Sequence, residues 1–73
     1  MDRIEKLVYD TIKENGGKIT RHELTKILDL GQDEIDDSIY NLEQQGYLIL
    51  GRGSQIYDSE DQVDVWMEAS IRE

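Results

Sequence analysis

Between positions 4 and 12, the residues of a mainly apolar stripe recur with the period of an amphipathic helix. The stripe is spaced i, i+3, i+4, i+7 and i+8 and consists of Ile4, Leu7, Val8, Thr11 and Ile12. Asp2 and Glu5 have the separation of a capping box, which predicts where this helix begins. The sequence Asn-Gly-Gly at 15–17 follows, and glycines directly after a periodic segment predict its end.

A short strand and two further helices are predicted between positions 18 and 46. Lys18–Thr20 is long enough only for a small strand, and Thr20 and Glu23 repeat the capping-box spacing before a second helix that begins at Arg21. A tight turn at 29–31 leads to a third helix from Gln32 to Gln45, which Gly46 ends. Its inward side is defined by Ile35, Ile39 and Leu42. We expect Leu30 and Leu42 to be buried and Asp37 and Gln44 to face water.

After Gly46 the pattern becomes extended. Residues 47–50 predict a strand, the Gly-Arg-Gly-Ser sequence at 51–54 predicts a turn, and 55–57 predict a returning strand. Ser59 and Gln62 form a third capping-box pair, and the residues after it have helical spacing: Val63, Trp66, Met67, Ser70 and Ile71. The sequence therefore predicts a mainly helical α+β fold, with a domain at 1–58 and a C-terminal helix at 59–73.

Charge is distributed unevenly along the chain. The 73 residues have a net charge of −9, but residues 1–28 carry six bases and five acids, whereas residues 29–73 carry two bases and twelve acids. A chain of this length supports one core. Cysteine is absent, and charged residues interrupt every apolar stretch, so neither a disulfide framework nor a membrane span or signal peptide is expected. These features favour a cytoplasmic protein.

The central motifs resemble those of a known family. The run Thr20-x-x-Glu23-Leu24-x-x-x-Leu28-x-Leu30, followed by Ile35-x-x-x-Ile39-x-x-Leu42-x-x-x-Gly46-Tyr47-Leu48, is similar to the winged helix-turn-helix pattern of small prokaryotic (bacterial, archaeal or viral) transcription regulators. The resemblance covers roughly Arg3 to Tyr57. It implies three helices with a short β-hairpin wing, Arg52 at the tip of that wing, and a recognition helix with these surface residues: Gln32, Asp33, Asp36, Asp37, Tyr40 and Asn41.

The third helix departs from the pattern of members that read DNA. It contains no Lys or Arg, and its first two turns hold Asp33, Glu34, Asp36 and Asp37. Like charges that face each other in an interface cost about several kcal/mol, and carboxylates opposite phosphates are such a case. We therefore expect a regulatory binding module that acts through a protein partner or a homodimer surface. Two alternatives stay open: duplex DNA binding, with phosphate contacts from Lys18, Arg21, Lys26 and Arg52, and an acidic mimic of nucleic acid.

Catalysis and metal binding are not expected. His22 lacks a nucleophile and an orienting acid in any recognisable motif. Neither 33–37 nor 58–64 has the alternating ligands, glycine and terminal Glu of a calcium loop. Gly51 and Gly53 are not followed by the lysine and helix start of a phosphate-binding loop. We accordingly predict no enzyme activity, no cofactor and no metal.

The predicted C-terminal helix has two interpretations. Its apolar stripe is formed by Val63, Trp66, Met67 and Ile71. The stripe either folds back onto the first helix as a lid or pairs with a second subunit, because an exposed aromatic patch is unusual on a monomer.

Overall fold

The computed structural model describes residues 1–56 and 62–72, which form an α+β fold of three helices and a three-stranded antiparallel sheet. The elements follow in the order helix, strand, helix, helix, strand, strand. Their bounds are α1 Arg3–Glu14, β1 Lys18–Thr20, α2 Arg21–Ile27, α3 Gln32–Gln44, β2 Leu48–Ile56 and β3 Gln62–Ile71. In this part of the chain no helix is long and apolar enough to cross a membrane.

The helix boundaries predicted from capping residues are confirmed for α1 and α2. The Asp2 side chain accepts a hydrogen bond of 2.8 Å from the backbone N–H of Glu5. Thr20 and Glu23 form the reciprocal pair of a capping box at the start of α2. Gly46 follows α3 with a φ of +88°, a conformation that glycine adopts without steric cost. The local signals therefore place all three helices within a residue or two.

The C-terminal helix predicted for 59–73 is wrong, because Gln62–Ile71 forms strand β3. This strand lies in the middle of the sheet, in the order β1-β3-β2. Ala69 pairs with Ile19 of β1 on one side and with Leu50 of β2 on the other. The last segment of the chain is thus an integral part of the fold.

The predicted turn at 51–54 is also wrong. Gly51, Arg52, Gly53 and Ser54 all pair with β3 as part of β2, so Arg52 lies within a strand, opposite Trp66, and not at a hairpin tip. Gln55 and Ile56 continue the same strand instead of returning. The connection between β2 and β3, together with the predicted cap at Ser59, lies outside the described residues. Two glycines near each other were a misleading turn signal, since an extended strand also accommodates them.

A register shift in the sheet determines which side of β3 faces the helices. Gly51 pairs with Glu68, but Arg52 pairs with Trp66, so Met67 is an extra residue on β3, as in a β-bulge. Side chains alternate along a strand, and from the buried Ala69 a regular strand would turn Met67 inward and Trp66 outward. The bulge reverses this order, because Trp66 is 0% exposed and Met67 is exposed.

The core lies between the helices and one face of the sheet. Its buried apolar residues are Val8, Ile12, Ile19, Leu24, Ile35, Ile39, Leu42, Leu48, Trp66 and Ala69. The predicted burial of Leu42 and exposure of Asp37 and Gln44 are confirmed. Leu30 is only half-buried and packs at the edge of this core, so its predicted burial is met in part. The long helices and strands each contribute one face to the core, and their opposite faces are available for contacts with a partner.

Candidate interaction surface on the third helix

The six residues predicted on the surface of α3 divide into two groups. Asp33, Asp37 and Asn41 are exposed, as expected for a contact surface. Gln32, Asp36 and Tyr40 are half-buried, and each makes hydrogen bonds inside the chain. The second group therefore holds α3 in place against α2 and β3.

Asp36 is the centre of a hydrogen-bond network that joins three elements. Its carboxylate accepts hydrogen bonds from Arg21 of α2, at 3.3 Å from Nε and 2.9 Å from Nη2. It also accepts from Gln32 Nε2 at 2.8 Å and from the indole Nε1 of Trp66 at 2.9 Å. Four donors around one carboxylate fix its position and leave it little freedom to contact a partner.

The network determines the charge of Asp36. Burial by itself would raise the pKa of Asp36, but hydrogen bonds from Arg21, Trp66 and Gln32, together with the positive charge of Arg21, outweigh it. The pKa of Asp36 consequently lies below its ordinary value. The residue is ionised at neutral pH, and its charge is compensated by the adjacent guanidinium.

A second network lies further along α3. The Tyr40 hydroxyl accepts a hydrogen bond of 3.2 Å from the backbone N–H of Trp66. The Arg52 guanidinium lies over the Tyr40 ring, 5.4 Å from its centroid, and Arg52 Nη2 is 2.7 Å from Glu43 Oε1. The strand position of Arg52 explains these contacts, since alternation places it on the same face of β2 as Leu48 and Leu50.

The four bases predicted to contact phosphates differ in their surroundings. Arg21 and Arg52 are paired with α3 carboxylates, at 2.9 Å from Asp36 and 2.7 Å from Glu43. Lys18 lies 3.2 Å from Glu68 of β3 and is largely exposed. Lys26 is exposed on α2. Both arginines thus lie against α3, and each forms an ion pair with a carboxylate of that helix.

A shallow depression of about 200 Å³ lies beside the Asp36 network. Arg21, His22, Thr25, Gln32 and Met67 line it. Thr25 Oγ1 is 2.8 Å from Gln32 Oε1, so the Gln32 amide connects α2 to the Asp36 carboxylate. Within residues 1–56 and 62–72, no group of three or more His, Cys, Asp or Glu side chains is arranged to hold a metal ion.

The residues predicted to form a dimer interface do not share an exposed stripe. Trp66 is fully buried inside its own chain, Ile71 is half-buried, and Met67 is exposed. Val63 lies in β3, and its side-chain surroundings are outside the described part. The helical pairing surface is therefore wrong, because these residues are in a strand and the aromatic side chain among them belongs to the core.

Comparisons of the chain with protein-family models and with curated proteins find no match.

Sequence reasoning missed the roles of Asp36 and Trp66. The resemblance to winged helix-turn-helix regulators implied a solvent-facing position for Asp36 on the recognition helix. A signal was present in the third helix: Gln32 and Asp36 are one helical turn apart, and the pair can meet on the same side. No local pattern, however, connects Asp36 with a tryptophan thirty positions away.

Proposed function

We propose that this chain is a winged helix domain and that it acts as a regulatory binding module. The element order, with two consecutive helices α2 and α3 followed by the hairpin strands β2 and β3, supports this assignment. The sheet order β1-β3-β2, in which the short first strand joins the hairpin, supports it as well. In this arrangement α3 is the helix that meets the partner, and the cytoplasm is where such a module works.

We infer that the partner of α3 is a protein and not duplex DNA. The observation that carries this inference is the pairing of Arg21 with Asp36 and of Arg52 with Glu43. Each guanidinium already has its charge compensated by a carboxylate of α3, so a phosphate would compete with that carboxylate for the arginine. Phosphate contacts supply most of the nonspecific affinity for DNA, so a surface with its arginines already neutralised lacks that contribution.

The exposed residues of α3 add to this argument. Asp33, Glu34 and Asp37 are exposed in its first two turns, next to the exposed amide of Asn41. Carboxylates at a helix N-terminus are stabilised by the helix dipole, so they persist there without opposing bases. This face suits a partner that presents Lys or Arg side chains, whereas a DNA backbone would be repelled.

A duplex titration tests the choice between the two partners. We expect wild-type protein to bind random duplex more weakly than the range of about 10⁻⁴ to 10⁻⁶ M that is typical of nonspecific binding at physiological salt. Asp33→Asn combined with Asp37→Asn should raise that affinity, because it removes two exposed negative charges without changing shape. The matched control is Asp29→Asn, an exposed acid outside α3. Tight wild-type binding that weakens steeply with salt and is lost in Arg52→Ala would make duplex DNA the partner.

A site-specific crosslinking experiment tests the protein partner directly. A photoreactive residue in place of Asn41 should give a discrete protein adduct in cells of the source organism, since Asn41 lies on the exposed face of α3. The same residue in place of Lys13, which is exposed on α1, is the control for position. Adducts to nucleic acid from position 41, or identical adducts from both positions, would contradict the proposal.

A further inference from the structure

An open apolar groove of about 450 Å³ lies along α1, at the edge of the core. Arg3, Ile4, Lys6, Leu7, Asp10 and Leu30 line it. Leu7 is 47% exposed there, although the same helix buries Val8 and Ile12 completely. Exposed leucine beside a half-buried Ile4 and Leu30 gives a contiguous apolar surface that gains free energy when another surface covers it.

The charged residues beside this groove change sign from one end of α1 to the other. Arg3, Leu7, Asp10 and Glu14 follow each other at intervals of four, three and four residues, so they lie on one stripe of α1. The base is at the N-terminal end of the stripe, and the two acids are at the C-terminal end. Lys6, which also lines the groove, lies 3.5 Å from Asp10 in an exposed pair four residues apart on the same helix. Exposed pairs of this kind contribute little, so Asp10 can exchange this contact for one with Arg3 of a second copy. Two copies of this stripe in antiparallel orientation bring each Arg3 to the acids of the other copy, whereas a parallel orientation opposes like charges.

We propose that the α1 groove is a self-association surface, occupied by a second copy of this chain with the two α1 helices antiparallel. The two-fold axis passes close to Leu7, so each Leu7 packs in the groove of the other subunit. In such an isologous interface every favourable contact occurs twice. Arg3 of one copy faces Asp10 of the partner subunit, and the reverse pair is formed at the other end.

The charge balance of the chain favours this side for contact between copies. A net charge of −9 makes two copies repel over most of their surface. Residues 1–28 carry six bases and five acids, so α1 lies in the near-neutral part of the chain. The groove has six lining residues, fewer than the roughly 20 per partner of a standard stable interface, so the dimer is expected to be weak and concentration-dependent.

Sedimentation equilibrium of the full chain tests the proposal. Wild-type protein should show a monomer–dimer equilibrium between about 10 μM and about 1 mM, the range that corresponds to weak association. Leu7→Asp should abolish the dimer, while Ile27→Asp, at a residue 55% exposed on α2, should leave it intact. Circular dichroism establishes that both variants are folded. The proposal is overturned if wild-type protein stays monomeric over the whole concentration range, or if Leu7→Asp and Ile27→Asp weaken the dimer equally.

Charge reversal tests the antiparallel orientation. Arg3→Glu places two acids together at each end of the interface, and Asp10→Lys places two bases together. Each variant alone should dimerise at least about tenfold more weakly, while an equimolar mixture should recover the wild-type affinity through heterodimers in which both pairs are complementary. Lys26→Glu, on α2, is the matched control and should have no effect. Failure of the mixture to recover association overturns the antiparallel arrangement. Because this surface is on α1, its outcome is separate from that of the α3 experiments.

Discussion

The indole Nε1 of Trp66 donates a hydrogen bond of 2.9 Å to Oδ1 of Asp36, a residue thirty positions earlier in the chain. This contact connects the central strand β3 to α3, and Arg21 extends it to α2. In the described part of the chain, every buried polar side-chain atom has a hydrogen-bond partner. The contact therefore orients the helix whose outer face is the candidate interaction surface.

The coupling between these two side chains can be measured. Trp66→Phe retains an aromatic ring but removes the donor, and we expect it to lower the free energy of unfolding by about 1–3 kcal/mol, as for a hydrogen bond to a charged group. Combined with Asp36→Asn in a double-mutant cycle, it should show a coupling energy of about 0.5–3 kcal/mol. Urea unfolding at neutral pH measures all four proteins. Strictly additive effects would mean that the contact does not stabilise the fold.

The Asp36 network also predicts a dependence of stability on pH. Since the pKa of Asp36 is lowered in the folded chain, its carboxylate contributes fully to stability above the unfolded-state pKa, which is about 3.9 for Asp. That contribution is lost as the pH falls through the lower, folded-state pKa. The free energy of unfolding should therefore decrease more steeply below about pH 4 in wild type than in Asp36→Asn.

The control for this pH experiment is Asp37→Asn, which changes the adjacent and exposed carboxylate. Urea unfolding at several values between neutral pH and the acid range gives the required curves. Asp37→Asn should retain the steep decrease seen in wild type, because it leaves the Asp36 network intact. Parallel curves for wild type and Asp36→Asn would show that the network is not linked to protonation of this residue.

Leu42 tests the packing of α3 on the core. The side chain is fully buried, so Leu42→Ala should lower the free energy of unfolding by about 2–5 kcal/mol, the cost of a large core truncation. Ile27→Ala, at an exposed position of α2, should change it by less than about 0.5 kcal/mol. Thermal unfolding followed by circular dichroism compares the two. An unchanged midpoint in Leu42→Ala would contradict the assigned inward face of α3.

Gly53 tests the packing beside the bulge. A Cβ atom at this position would lie 2.8 Å from Cγ of Met67, whereas a Cβ at Gly51 would find its nearest contact at 3.6 Å. Gly53→Ala should therefore destabilise the fold relative to Gly51→Ala by about 0.5–1.5 kcal/mol, because the exposed Met67 side chain must leave its preferred rotamer. Met67→Ala in the same chain should relieve the effect. A Gly53→Ala variant that is as stable as Gly51→Ala would argue against the close approach of Met67.

The helical half of the fold could be predicted from local signals. Capping residues and apolar stripes placed α1, α2 and α3, because a helix closes its hydrogen bonds within a few residues and its boundaries depend on neighbouring side chains. The exposure of Asp37 followed from the inward stripe of α3, and that of Asp33 and Asn41 was implied by the family resemblance. The burial of Asp36 and Tyr40 did not, since it depends on β3.

The C-terminal segment was predicted wrongly for a physical reason. Its apolar residues at 63, 66, 67 and 71 have helical spacing, but in a strand with one extra residue the inward Trp66 and Ala69 are also three positions apart, while Met67 is exposed. A strand gains its hydrogen bonds from distant partners, here Ile19 and Leu50 on either side of Ala69. The sequence by itself determined the three helices, the inward face of α3 and the acidic character of its outer face. Only the tertiary structure decided that the last segment is a central strand, that its bulge buries Trp66 and that Asp36 is half-buried between Arg21 and Trp66, because these outcomes depend on contacts between residues far apart in the chain.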